Sequence, residues 1–122
     1  MEFNQYNTTV QQWIHTVLEN RETNADVVLE CCRDIIAYGR KTDDPKLMGF
    51  GFFYGGEIYY ELNDGAHFFH MMTEALTYLD RAEEWELVVR CYNFLGIASM
   101  SRGNPSLALD YYMNGLKDSD KI

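Results

Sequence analysis

The sequence predicts an all-α protein whose six helices form three antiparallel pairs. Apolar residues recur at the spacing of an α-helix in six segments. Short polar turns separate the segments, and several turns carry a helix N-cap residue, in two cases followed by proline. A third observation is a recurrence along the chain: the offset from Gly56 to Gly96 equals that from Leu76 to Leu116. We call this offset the repeat period, and it is typical of a repeated helix pair.

The first pair is predicted over about residues 4–41. An apolar stripe over residues 10–18 follows the i, i+3, i+4, i+7 spacing and marks its first helix. Thr23 and Asp26 resemble a capping box at the start of its second helix. The apolar face of that helix extends over residues 27–36.

The second pair is predicted over about residues 45–80. Pro45 follows two aspartates and therefore suits the first position of a helix. That helix contains aromatic residues and four glycines, and each glycine costs about 1 kcal/mol relative to alanine in a helix interior. We expect close helix packing against bulky aromatic side chains to offset this cost. Asn63 and Asp64 cap the next helix.

The third pair is predicted over about residues 84–117. Tyr92, Leu95, Gly96 and Ser99 form a narrow stripe with small residues where a second helix can approach. The turn at residues 102–105 supplies a glycine C-cap, an asparagine N-cap and a proline at the first helical position. A second helix follows, with its stripe formed by Ala108, Tyr112, Gly115 and Leu116.

Residues 89–116 carry, in order, an aromatic residue, a Leu-Gly dipeptide and a small residue. These are followed by a Gly-Asn dipeptide, an alanine, a second aromatic residue and a small residue next to a leucine. This order resembles the tetratricopeptide repeat. The resemblance implies a right-handed α-solenoid, formed here by one domain over residues 1–122. The chain departs from the repeat at Ser99, Gly115 and Asp120, where tyrosine, alanine and proline are usual. Its repeat period also exceeds the usual length of ~34 residues.

Residues 45–120 as a whole are similar to the amino-terminal tetratricopeptide region that precedes diguanylate cyclase domains in some bacterial signalling proteins. The resemblance implies a non-catalytic protein-interaction or sensory module that regulates an attached output domain, as the amino-terminal part of a longer protein. The alternatives are a peptide-sensing repeat domain of a transcription regulator and a stand-alone scaffold. Gly55-Gly56-Glu57 is like the start of the cyclase signature, but Ile58 and Tyr59 break it, so we expect no enzyme activity.

Composition restricts the partners and the compartment. Ten basic and 19 acidic side chains give a formal charge of −9, which argues against a nucleic-acid surface and favours a basic or apolar polypeptide partner. No apolar run approaches the ~18 residues of a membrane span. The three cysteines do not form a disulfide framework, and two of them are adjacent. We expect a reduced, cytoplasmic protein.

The first helix of each pair usually lines the concave face of a solenoid of helix pairs. We therefore expect the partner-binding groove to use the third and fifth helices. The candidate groove residues are Phe50, Phe53, Glu57, Tyr60, Glu61, Arg90, Asn93, Ile97 and Met100. Aromatic and acidic side chains suit an apolar or basic peptide. The alternative that several of these aromatics belong to the core remains open at this point.

No pattern predicts a catalytic, cofactor or metal site. The glycines at residues 49–56 have neither of the spacings of phosphate-binding loops. His67, His70 and Glu74 fall on one helical face, but surface and packing roles explain them more simply than a metal does. The last predicted pair lacks a long polar capping helix, so we expect an exposed apolar face and a homodimer formed through that pair.

Overall fold

The computed structural model describes all 122 residues, and it confirms an all-α fold of six helices without strands. Each helix packs against the next along the chain. None of them is both long and apolar enough to cross a membrane. The helices are α1 (Thr8–Asn20), α2 (Ala25–Lys41), α3 (Pro45–Glu61), α4 (Gly65–Arg81), α5 (Trp85–Ser101) and α6 (Pro105–Ser119).

The helix starts follow a regular spacing. From α2 onward the helices begin at even intervals along the chain, and two such intervals make one repeat period. In four of the five helices from α2 to α6, the side chain of the N-cap residue accepts a hydrogen bond from a backbone N–H of the first turn. These four caps are Asn24, Asp44, Asp64 and Asn104. Four turns connect α2 to α6, and in each of them the residue before the N-cap has a positive φ. These residues are Asp43, Asn63, Glu83 and Gly103.

The start of α1 lies later than the sequence predicts. The stripe suggests a start near residue 4, whereas α1 begins at Thr8. Asn7 is the N-cap, and its side chain accepts a hydrogen bond from the backbone N–H of Val10 at 2.9 Å. The residues before Asn7 pack on the core instead, through Phe3 and Tyr6.

Helix α3 lies at the centre of the molecule. Every residue from Leu47 to Ile58 is buried. Its neighbours α2 and α4 make extensive contacts with it, and Phe94 of α5 packs on Phe53 with ring centroids 6.0 Å apart. A helix that is apolar on all sides is characteristic of a buried position, and the composition of α3 fits that position.

The glycines of α3 allow close helix approach, as the sequence predicts. Their partners, however, are aliphatic and not aromatic. A Cβ added at Gly49 would lie 2.6 Å from Cδ2 of Leu79 in α4, and one at Gly51 would lie 2.6 Å from Cγ1 of Ile36 in α2. Helix periodicity places the glycines on faces without naming the neighbour, which explains the incorrect choice of partner.

Gly56 and Gly96 occupy equivalent environments. Gly56 faces Met72 of α4, and a Cβ added there would lie 3.0 Å from the Met72 methyl carbon. Gly96 faces Tyr112 of α6, and the corresponding distance to the Tyr112 ring is 2.5 Å. The offset from glycine to partner along the chain is the same in both cases. The same packing contact therefore forms in α3–α4 and in α5–α6.

This pair of contacts gives a matched test of packing. We expect Gly96→Ala to lower the free energy of unfolding by about 1–3 kcal/mol, because the rigid Tyr112 ring must move. Gly56→Ala should change it by less than about 1 kcal/mol, because the methionine methyl can move and alanine favours the helix. Urea unfolding followed by circular dichroism measures both. Equal losses in the two variants would contradict the difference in packing.

Candidate functional site

An ion cluster joins α1, α3 and α5. The carboxylate of Glu57 accepts two hydrogen bonds from Arg21, at 2.8 Å from Nε and 2.6 Å from Nη2. It also accepts one from Nη2 of Arg90 at 3.3 Å. The Glu57 side chain is only 10% exposed. Since Arg21 caps the end of α1 and Arg90 lies in α5, one buried carboxylate ties three alternate helices together.

Aromatic rings support both guanidinium groups of the cluster. The Cζ atom of Arg21 lies 5.1 Å from the ring centroid of Tyr54, and that of Arg90 lies 4.8 Å from the centroid of Phe53. Hydrogen bonding to Glu57 raises the pKa of Arg21 above its usual value, although burial acts in the opposite direction. The Glu57 carboxylate is thus occupied from within the chain, and it is not free to receive a basic group of a partner.

The predicted groove residues separate into two sets. Phe50 and Phe53 are 1% and 0% exposed, so they belong to the core, and their assignment to an open groove is wrong. Phe3 covers Phe50 with ring centroids 5.3 Å apart. Replacing either phenylalanine would test core packing and not partner binding. Glu57 is buried in the ion cluster.

The remaining predicted residues are accessible. Arg90 is half-buried, and the others are exposed. The structure brings Glu57 and Arg90 together, and it places Tyr60 against Phe94 with ring centroids 5.3 Å apart. The exposed members of the predicted set are Tyr60, Glu61, Asn93, Ile97 and Met100.

Sequence reasoning misses Arg21 and Tyr54. The sequence pattern places Arg21 in the polar turn after the first helix, and its partner Glu57 lies 36 residues further along the chain. No local pattern joins residues at that distance. A basic residue at the end of the first helix and an acidic residue within the third are the only signal that the sequence offers.

Two clefts open at the end of the molecule that holds the turns after α1, α3 and α5. The first cleft, of about 500 Å³, lies between residues 21–25 and residues 57–62. The second cleft, of about 480 Å³, lies between residues 59–69 and residues 98–102. Most positions that line the first cleft have a counterpart one repeat period later in the second. The repeated helix pair thus forms a cleft at the same place in two successive layers, although the side chains that line the two clefts differ.

Acidic groups line both clefts, and aromatic rings line the second. Glu61 lines both clefts, Glu22 lines the first, and neither carboxylate takes part in an ion pair. Tyr60 lines the second cleft and packs on Phe68 with ring centroids 5.4 Å apart. Free carboxylates beside aromatic faces can receive cationic side chains and backbone N–H groups.

A third, smaller cleft of about 240 Å³ lies where the concave groove was expected. Its walls include Met1 and Phe3 on one side and Leu87 and Arg90 of α5 on the other. Lys46 donates a hydrogen bond to the backbone carbonyl of Glu2 and so holds this first segment in place. Met1 and Phe3 therefore occupy part of the predicted groove.

The structure contains no group of three or more His, Cys, Asp or Glu side chains placed to hold a metal ion. His67 instead lies with Nδ1 at 2.8 Å from Oδ2 of Asp64, and its ring stacks on Tyr59 with centroids 4.8 Å apart. Hydrogen bonds from the backbone and then the side chain of His67 lower the pKa of Asp64. His67 thus has a structural role at the start of α4.

The three cysteines are free thiols. Cys32 and Cys91 are buried, and burial raises the pKa of both thiols well above the usual value. Cys31 is partly exposed; burial first, and then the charges of Asp34 and Glu30, raise the pKa of its thiol. Since the thiolate is the reactive form, none of the three has the properties of a nucleophile.

Comparison of the chain with known protein families, with curated proteins and with solved structures finds no match.

The ion cluster predicts unequal effects of two similar substitutions. Glu57→Gln should lower the free energy of unfolding by about 2–3 kcal/mol, because two guanidinium groups lose a charged and largely buried acceptor. Glu61→Gln serves as the control on the same helix and should change stability by less than about 0.5 kcal/mol, because this side chain is exposed and unpaired. Thermal and urea unfolding provide the measurement, and similar losses in both variants would refute the structural role of the cluster.

Thiol titration tests the burial of the cysteines. In the native chain at pH 8 we expect a disulfide reagent to modify Cys31 slowly and to leave Cys32 and Cys91 unmodified, because their raised pKa values suppress the thiolate. All three should react after unfolding. Cys31→Ser is the control and should abolish the native reaction. Reaction of two or three thiols in the native chain would show that the α2 or α5 cysteine is accessible.

Proposed function

We propose that this chain is a tetratricopeptide-type interaction module that binds an extended, basic polypeptide segment across its two equivalent clefts. The observation that carries the proposal is the equivalence of these clefts across one repeat period. A module with the same cleft in successive helix pairs is suited to a partner that offers similar groups in succession. We propose no catalytic role for the chain.

The solenoid arrangement is part of the proposal. The regular helix starts, the recurring turn conformation and the equivalent environments of Gly56 and Gly96 all support it. Arg21, Glu57 and Arg90 support it as well, because they connect alternate helices as neighbours in one layer. These features fit a right-handed α-solenoid of three antiparallel pairs.

Charge supports a basic partner. The chain carries a formal charge of −9, and the unpaired carboxylates of Glu22 and Glu61 lie at the cleft walls. The positive groups nearest the clefts are already engaged: Arg21 binds Glu57, and Arg102 lies 4.6 Å from the ring centroid of Phe69. Long-range attraction and the local cleft chemistry therefore favour lysine or arginine side chains.

We further propose that partner binding regulates an attached output domain such as a diguanylate cyclase. The support is the resemblance of residues 45–120 to the repeat regions that precede such domains. This part of the proposal is separable from the binding surface, since the clefts and the ion cluster lie within residues 1–122.

Selection of peptides on the full chain tests the binding proposal. A library of random peptides displayed on phage should yield sequences enriched in lysine and arginine. Glu61→Lys should weaken binding of the selected peptides at least about tenfold, because Glu61 lines both clefts and its replacement reverses the charge. Affinity is measured by fluorescence anisotropy with the labelled peptides.

Glu30→Lys is the matched control for this experiment. It makes the same charge change on an exposed position of α2 that lines neither cleft. Its effect on affinity should be small and should vanish at high salt. Enrichment of acidic or purely apolar peptides, or equal weakening by Glu30→Lys and Glu61→Lys, would overturn the proposal.

A further inference from the structure

Large apolar side chains are exposed on the outer side of the last two helices. On α6, Leu109, Met113 and Leu116 are 57%, 60% and 74% exposed. On α5, Ile97 and Met100 are also exposed. We call these five residues the α5–α6 face. Exposed apolar groups that recur at helical spacing on neighbouring helices mark an interaction surface.

The repeat shows what kind of surface this is. One repeat period before Ile97, Met100 and Leu109, the chain carries Glu57, Tyr60 and Phe69. Those three earlier residues contact Arg90, Phe94 and Arg102, which all lie in α5 or at its end. Ile97, Met100 and Leu109 are therefore counterparts of residues on which α3 and α4 receive the next helix pair. The counterparts of Met113 and Leu116 are Thr73, which is exposed, and Leu76, which is half-buried.

We propose that the α5–α6 face binds a second copy of this chain, with α6 packed antiparallel against α6 of the other copy. The twofold axis passes near Met113. A closed pair of this kind covers the same face on both copies. The proposal rests on helix packing and charge, and it does not depend on peptide binding by the clefts.

Charge on α6 selects the antiparallel orientation. Asp110 and Lys117 lie one heptad apart, which is nearly two turns, so both flank the apolar stripe on the same side. In an antiparallel pair the matching flanks of the two helices meet, and Asp110 of each copy lies beside Lys117 of the other. In a parallel pair the matching flanks lie on opposite sides, and these two ion pairs do not form.

Head-to-tail stacking on α1 is disfavoured. Gly51 of α3 receives Ile36 of α2, and Gly55, which lies closest to Met71 of α4, also contacts Cys32 of α2. One repeat period earlier, the equivalent positions hold Gln11 and His15, and both are exposed polar residues of α1. The outer face of α1 therefore lacks the small and apolar groups that another helix pair requires, whereas two α5–α6 faces match each other.

Sedimentation equilibrium of the full chain tests the proposal. We expect a species of twice the 14.3 kDa chain mass at micromolar concentrations. Leu116→Glu should weaken association at least about tenfold, because it places a charge within the apolar contact on both copies. Since Leu116 is exposed in the single chain, circular dichroism should show unchanged helix content. A monomer at millimolar concentration, or a dimer unaffected by Leu116→Glu, would overturn the proposal.

A charge exchange tests the orientation. Asp110→Lys should weaken the dimer, because each of its two 110–117 contacts then brings two lysines together. The double variant Asp110→Lys with Lys117→Asp should restore the dimer, because both contacts again join opposite charges. Glu30→Lys controls for the change in net charge and should leave the dimer intact. Failure of the double variant to restore association would overturn the antiparallel arrangement. Open-ended oligomers in place of a dimer would favour head-to-tail contacts and would also overturn it.

Discussion

The even spacing of the helix caps is the constraint on which the rest of the structure depends. Each cap fixes where a helix starts, and each preceding residue of positive φ turns the chain back by the same geometry. The helices α2 to α5, each 17 residues long, then place equivalent residues at equivalent heights. The ion cluster, the paired clefts and the exposed α5–α6 face all follow from that register, because each depends on residues that lie about one repeat apart.

The central helix shows how packing and electrostatics together hold this register. On one side, glycines such as Gly49 and Gly51 allow α4 and α2 to approach closely. On the other, Glu57 is surrounded by Arg21 and Arg90, whose guanidinium groups lie on aromatic rings. A buried carboxylate without these partners would be costly, and with them it specifies which helices lie side by side. The apolar contacts supply most of the stability, and the ion cluster determines which helices become neighbours.

Local signals in the sequence predict much of the fold, and non-local contacts explain what they miss. Caps and periodic stripes lie within a few residues of one another, so they locate the helices with small errors at the ends. Periodicity puts Phe50 on the groove side of its helix, but it does not show that Phe3 returns to cover this ring. The pairing of Arg21 with Glu57 is hidden for the same reason. The exposure of Glu61, in contrast, follows directly from the repeat.

The repeat register itself can be measured. Nitroxide labels at Ala37, Thr77 and Lys117 occupy exposed, equivalent positions of α2, α4 and α6. A Cys31→Ser background, with labelled chains diluted in unlabelled chain, restricts the signal to intramolecular pairs at these sites. Electron paramagnetic resonance should then give the same distance for the pair 37 and 77 as for the pair 77 and 117. Clearly different distances would show that successive helix pairs do not stack in one register, and would contradict the account of this fold.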